Sequence, residues 1–445
     1  MLEIILFLFL FAMLYISLKI YDYDLINPTV IYNATWVVCS FVYMIYSSYW
    51  KMPLHINTFL VIFVGNIIFN ITIYIIIHKF KGSNKKINNN CFEISLWIKR
   101  LMLIYIVIFL IYAYIHEYNL AVQADSGIDW YNLPKILSAA RAGTIHYNLH
   151  NSRLFVNGLR INYILSILFF YEYCLKFNIK NYHNNLLSLI ISFLLLISTL
   201  LSGGRTILLG ILTGYTIVAL YLFFDRIIVT PKIIKKVILL LLLCFIIFIV
   251  LFGLMNVFLL ERIDSNNFME ALNYTAKYIG SSIPDLDYFL NNRELYGESF
   301  FGASTFNSIW VTLSSMGLTS NVPIGEIKQF IPDTGTLTSN IYTVYFHYIY
   351  DFGYFSIPIF QIVNGMLFGG IYSKVKTNHQ NNCLYLLIYA LLVYPLIMMF
   401  FQENLWSMIN THIVRIFILF ISYCFILKFD KIKVILKKLK LKNKN

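Results

Sequence analysis

Long apolar runs alternate along this chain with short polar breaks. A helix needs about 20 mostly apolar residues to cross a hydrocarbon core of about 30 Å. Val237 to Val257 reaches that length and Leu186 to Leu201 approaches it. Comparable runs fall near 2–20, 29–49, 57–78, 98–117, 161–177, 185–201, 206–224, 237–257, 352–373, 383–401 and 412–428. The pattern predicts an all-α polytopic membrane protein of about 11 transmembrane helices with two exported loops. No internal repeat or low-complexity linker divides it, so residues 1–445 read as one integral membrane domain. Glu3 precedes the first run and no Lys or Arg does, which makes a poor signal peptide and a good retained span.

Composition points the same way. Residues are 59% apolar and only 12% charged, against roughly a quarter charged in soluble domains. The net charge of +13 resembles that of a nucleic-acid binder, but its placement argues for a membrane. Seven lysines crowd between Lys431 and Lys444, directly after an apolar run. Such a tail, here 429–445, is expected on the cytoplasmic side against anionic membrane lipids. The basic balance reports topology and no nucleic-acid partner. The six cysteines (Cys39, Cys91, Cys174, Cys244, Cys383, Cys424) fall in or near apolar runs or in a lysine-rich loop, so no exported disulfide framework is expected.

Positive charge also sets the threading. The connection carrying Lys79, Lys81, Lys85 and Lys86 is expected inside, and alternation then puts 225–236, 374–382 and the tail inside too. Each of these segments is basic. The same count exports two loops, 118–160 and 258–339, the second with more carboxylates than cations. Segment 340–352 is aromatic and amphipathic, which predicts a helix lying at the outer interface.

Candidate chemistry gathers at outer span ends. Arg205 in SGGRT separates two runs with almost no loop, which holds a guanidinium at the outer rim. Gly203 and Gly204 leave backbone amides free to meet an anion. Two readings apply: a guanidinium fork for phosphate or pyrophosphate, or an arginine snorkelling to headgroups at a tight turn. Arg160 and Arg262 mark other outer span ends, while Arg141, Arg153 and Arg293 lie in the exported loops. They either converge on a polyanionic lipid head or pair singly with loop carboxylates. Asp351 reads as a helix-start cap before Gly353, a general base or an arginine orienter. Asn340 and His347, seven apart, share a helical face and either line a cleft or make ordinary polar contacts. His146 and His150 have helical spacing without a third ligand, so no metal site is expected. Asp22 and Asp24 read as a solvated inner loop, and Glu403 and His412 as loop residues flanking an outer connection. No P-loop, GxSxG or HExxH motif is present.

Four features resemble the O-antigen or capsule repeat-unit polymerases of bacteria, the Wzy-type family. They are NPTVIY (Asn27 to Tyr32), SGGRT (Ser202 to Thr206), the long exported loop before the late spans, and TSNIYTVYFHYIYDFGYFS (Thr338 to Ser356). The resemblance implies the GT-C-type membrane glycosyltransferase fold shared with O-antigen ligases, in the inner (cytoplasmic) membrane, with the active site at the periplasmic face. It implies transfer of a glycan from polyprenyl pyrophosphate to a sugar hydroxyl of another lipid-linked repeat unit. Neither metal nor other cofactor is implied, and a chain-length regulator and a flippase are the implied protein partners. The arginine of the ligases' outer-turn motif matches Arg205. Their His-Asn pair corresponds to Ser339-Asn340, a departure that favours polymerase over ligase. The implied catalytic set is Arg205 with Asp351 or His347. Arg160, Arg262, Arg141, Arg293 and Asn340 are the implied substrate and pyrophosphate contacts.

Two other classes compete. A glycosyltransferase using a polyprenyl monophosphate sugar needs the Asp22 and Asp24 pair outside. A lipid-linked oligosaccharide flippase is expected to show related halves and mid-span polar residues. A topology reporter fused after residue 24 should report a cytoplasmic position. An exported signal there would favour the monophosphate-sugar enzyme.

Overall fold

In a computed structural model the described residues, 1–80, 93–146, 152–177, 185–226, 230–240, 243, 268–297, 301–319, 341–377 and 382–442, form helices joined by turns, with no strand among them. Side chains are described at these positions except 143–146, 205, 226, 268–272, 382 and 427–442. The first eight helices are α1 (Leu2–Ile20), α2 (Pro28–Trp50), α3 (Ile56–Lys79), α4 (Leu96–Ala124), α5 (Leu133–His146), α6 (Arg153–Lys176), α7 (Leu186–Leu200) and α8 (Arg205–Arg226). Residues 231–240 form α9. There follow α10 (Phe268–Gly280), α11 (Ser282–Asn291), α12 (Asn307–Ser315), α13 (Val344–Phe352), α14 (Ser356–Thr377), α15 (Asn382–Ile397) and α16 (Ile409–Lys442).

Among the described residues, eight helices are long and apolar enough to cross a bilayer, and α7 is a shorter apolar helix. Their surfaces agree with that setting. On α1 the exposed stripe is Ile4, Leu8, Phe11 and Tyr15, and on α4 it is Ile104, Ile108, Ile111 and Ile115. Helical spacing of bare apolar side chains fits hydrocarbon as the surrounding medium. Most of the expected span 237–257 lies outside the described residues.

Local chemistry explains several helix starts. Asn27 accepts from Thr29 N at 2.9 Å with Pro28 in the first turn, so the NP of NPTVIY is a helix cap. Ser95 and Ser152 cap α4 and α6 in the same way. α4 outruns its expected end at 117 because Leu120 and Ala121 bury against Ile136 and Ala140 of α5. α6 begins at Arg153 rather than 161. The expected first loop, 118–160, is therefore largely helical.

Pairings hold the bundle at both ends. At the end predicted to face inward, Glu172 takes Lys99 Nζ at 3.1 Å, Ile94 N at 2.9 Å and the Ser188 hydroxyl at 2.7 Å. Asp24 belongs to the same end but is no solvated loop residue. It pairs with Lys376 at 2.7 Å and accepts from the Tyr372 hydroxyl, which ties the α1–α2 turn to α14. At the opposite end Asp287 of α11 accepts His55 N at 2.9 Å and faces His55 Nδ1 at 2.6 Å, so the large loop caps α3 from outside.

One expectation needs correction. Segment 341–352 is not an exposed amphipathic helix: in α13 every residue from Val344 to Ile349 is buried. Tyr345 reaches the interior, where its hydroxyl meets that of Tyr32 at 2.8 Å and its ring lies 5.4 Å from Trp36. The aromatic side chains that suggested an interfacial helix have packing partners on several sides, so burial wins over the water boundary. Room for Tyr345 comes from Gly65 of α3, where an added Cβ would lie 2.5 Å from the Tyr345 ring. Gly65→Ala should therefore cost about 1–3 kcal/mol, measured as a lower thermal midpoint of the purified protein in detergent. An unchanged midpoint would mean that α13 is held elsewhere.

Candidate functional site

Helices α6, α8, α15 and α16 pack together, and their ends at the predicted outer face gather arginines. On α16 Arg415 shares a helical stripe with the buried residues His412, Leu419, Tyr423 and Ile426, so its side chain turns into the bundle. Its guanidinium stacks 4.0 Å from the centre of the Tyr163 ring of α6, a distance at which cation–π attraction is strong. Gly210 of α8 closes the other side of that ring, since a Cβ there would lie 2.6 Å from the Tyr163 hydroxyl. One turn along α6, Arg160 donates to Asn157 Oδ1 at 3.1 Å and to Thr411 Oγ1 at 3.4 Å, and it feels the charge of Arg415.

Neither guanidinium has a carboxylate within 4.0 Å among the described residues. Arg415 Nε and the hydroxyls of Tyr163 and Tyr394 are buried without hydrogen-bond partners. Two cations on neighbouring spans, with spare donors and no counter-ion, form an anion-seeking arrangement.

The SGGRT turn adjoins them. Gly203 has φ +60°, in the left-handed region that favours glycine, and its carbonyl accepts from Arg141 Nη1 of α5 at 2.9 Å. α8 begins at Arg205, whose side chain lies outside the described set. Its backbone is five residues, about 7.5 Å of helix rise, from Gly210 beside the Tyr163 ring. Arg141, Arg160 and the backbone of Arg205 thus belong to one end of one helix group, as expected. Arg153 opens α6 at the same end.

Other candidates go elsewhere. Arg293 donates to Ile349 O at 3.3 Å and lies over the rings of Phe289 and Tyr354, where it neutralises the carbonyl end of α13. Arg262, Asn340 and His150, and the side chain of His146, lie outside the described residues. Asp351 is no helix-start cap. It ends α13 and accepts Ser304 N at 3.3 Å and Thr305 N at 2.6 Å. His347 is buried, with Nδ1 2.6 Å from Ser304 Oγ and Nε2 without a partner. Both side chains hold segment 301–306 against α13.

Glu403 does lie in the connection before α16, but it is only 1% exposed, and His412 stands on α16 at 5% exposed. Glu403 accepts Leu405 N at 3.1 Å, Trp406 N at 2.9 Å and Ser407 N at 2.6 Å. Burial pushes its carboxyl up to about 7, against the downward pull of those backbone bonds. Trp406 Nε1 then donates to Asn364 Oδ1 at 2.9 Å, and Asn364 to the Tyr348 hydroxyl at 3.0 Å. His412 Nε2 contacts Asn404 O at 2.8 Å. The 401–408 connection is thereby fixed, and with it the start of α16 that carries Arg415.

Arg415 was missed by sequence reasoning, which looked for cations at span ends and in loops. The available signal was its phase: an arginine on the inward stripe of an apolar helix, with no acidic residue between Asn404 and Phe429.

These features define a polytopic α-helical membrane protein with an arginine-lined cluster at one end of its bundle. No protein-family model, no curated protein and no solved structure matches the chain.

Glu403→Ala strands three backbone N–H groups, each worth about 1–3 kcal/mol when left buried and unpaired. The expected result is a clearly lower thermal midpoint, together with faster proteolysis between α15 and α16. Wild-type values for both would show that the turn is held without the carboxylate.

Proposed function

We propose that the chain is a glycan repeat-unit polymerase of the O-antigen or capsule type, working at the extracytoplasmic face of the bacterial inner membrane. In this reading it moves a growing glycan from polyprenyl pyrophosphate to a sugar hydroxyl of an incoming lipid-linked repeat unit. The supporting observation is the carboxylate-free pair Arg160 and Arg415 beside the SGGRT turn.

The chemistry asks for such a pair. As the glycosidic bond to the pyrophosphate breaks, negative charge grows on the departing diphosphate. Fixed guanidinium groups in a poorly hydrated setting stabilise it without reorganising. Arg160 and Arg415 are assigned to the diphosphate, with Tyr163 holding Arg415 in place, and Arg205 is assigned the fork from its position in SGGRT. Arg141 orients the turn through Gly203 O. Asp351 and His347 serve here as positioning residues, because their described contacts go to the 301–306 segment. No described side chain is assigned as the base for the acceptor hydroxyl. Arg262 and Asn340 keep their expected role as substrate and pyrophosphate contacts, whereas Arg293 is taken up by the end of α13.

One observation favours a second reading, a lipid-linked oligosaccharide flippase. α13 is a short helix buried among longer ones, as in transporters with interrupted helices.

Arg205→Ala and Arg415→Ala should each lower long-chain glycan synthesis by about 10²–10³-fold, the usual loss for one oxyanion donor. Membrane insertion should stay normal, and single lipid-linked repeat units should accumulate on the outer face. Arg205→Lys should also be impaired, because an ammonium lacks the bidentate fork. Full-length chains in both alanine variants would refute the proposal. Repeat units trapped on the inner face would identify the flippase instead.

A further inference from the structure

At the opposite end of α8 from Arg205, residues of α8 and α9 line an open crevice of about 290 Å³. Its lining is Phe223, Ile233, Val237 and Leu240, with Lys236 at the rim. α9 starts sharply: Thr230 Oγ1 accepts from Ile233 N and Pro231 occupies the first turn. That start sets Lys232, Lys235 and Lys236 exposed on the first two turns, while Ile234 and Val237 are buried. Over the same stretch, 221–240, the sequence carries one carboxylate, Asp225, against those lysines and Arg226.

We propose that this crevice is a binding site for an anionic phospholipid of the leaflet surrounding this end of the bundle. Acyl carbons fill the Phe223, Val237 and Leu240 surface, and the headgroup phosphate meets Lys236 with Lys232 and Lys235 beside it. Two features commit the site to a lipid and not to a soluble anion. The lining is apolar except for Lys236, and Leu239, Leu240 and Leu243 continue it as a surface 53–70% exposed. A free phosphate gains nothing from such walls, whereas an acyl chain does. A zwitterionic lipid fits the walls equally well but gains little from three clustered cations. The site is independent of the arginine cluster and of any polymerase activity.

Native mass spectrometry of the detergent-purified full chain, with phosphatidylglycerol or phosphatidylcholine added, tests the site. The wild type should retain phosphatidylglycerol with at least about tenfold preference, from roughly fivefold per lysine near an anionic group. Replacing Lys232, Lys235 and Lys236 together by Gln should bring the two lipids close to parity. All three side chains are exposed, so the variant should keep its thermal midpoint. Leu240→Gln should weaken retention of both lipids while leaving the headgroup preference. Equal retention of the two lipids by the wild type would overturn the proposal. An undiminished preference in the triple variant would also overturn it, because the lysine tail would then be the lipid-binding element.

Discussion

Everything at the candidate site depends on one electrostatic constraint: a guanidinium turned inward on an apolar helix must find compensation. An arginine at a helix centre costs about 2.5–3.5 kcal/mol on insertion scales, and less toward the edge. Arg415 offsets part of that cost by stacking on Tyr163, which supplies a negative ring face and no formal charge. Its Nε remains unpartnered. A purely structural arginine in this position would be expected to pair with a carboxylate, and the chain buries paired carboxylates at both ends of its bundle elsewhere. Glu172 and Asp287 are both buried, and both have basic partners. The contrast lies between cations that the fold has neutralised and cations that it has left to meet something else.

The surrounding architecture then reads as a means of holding those cations still. Glu403 binds three backbone amides, Trp406 reaches Asn364, and Asn364 reaches Tyr348 of α13. Asn410 adds a bond to α12 through Ser308 O at 2.8 Å. These contacts connect the start of α16 to α12, α13 and α14. A binding group on a helix fixed by such a network loses little freedom when its ligand arrives, which is the physical content of preorganisation.

Much of this fold was legible in the sequence. Eight of the eleven expected spans coincide with helices long and apolar enough to cross a bilayer, because a crossing helix needs about 20 mostly apolar residues. The cap at Asn27-Pro28 and the glycine turn at 203 were local and could be read locally. α13 could not be. Its amphipathic aromatic pattern is the same for a helix at a water boundary and for one enclosed by others, and only the notch at Gly65 distinguishes the two. Likewise Asp24 reads as solvated and Glu403 as a plain loop residue, because their partners, Lys376 and the amides of 405–407, depend on chain geometry. At the site, the cations at turns and span ends are visible as breaks between apolar runs, while Arg415 is marked only by its helical phase inside one.

The division between the two cation types carries the argument further. Of nine arginines, the seven at 141, 153, 160, 205, 262, 293 and 415 fall on the side that threading assigns outward. Of twenty-five lysines only four do, at 51, 135, 277 and 328. A topological charge bias acts on both residue types alike, so it explains the inward lysines and leaves the outward arginines unexplained. Solubility of the exported loops does not explain them either, since lysine serves that purpose equally well. What distinguishes arginine is a planar fork that binds two oxygens of one anion and stays charged when partly dehydrated. The preference for that fork on one face, and for the ammonium on the other, is the pattern expected of a protein that meets bulk anionic lipid on one side and grips a particular phosphate-bearing molecule on the other.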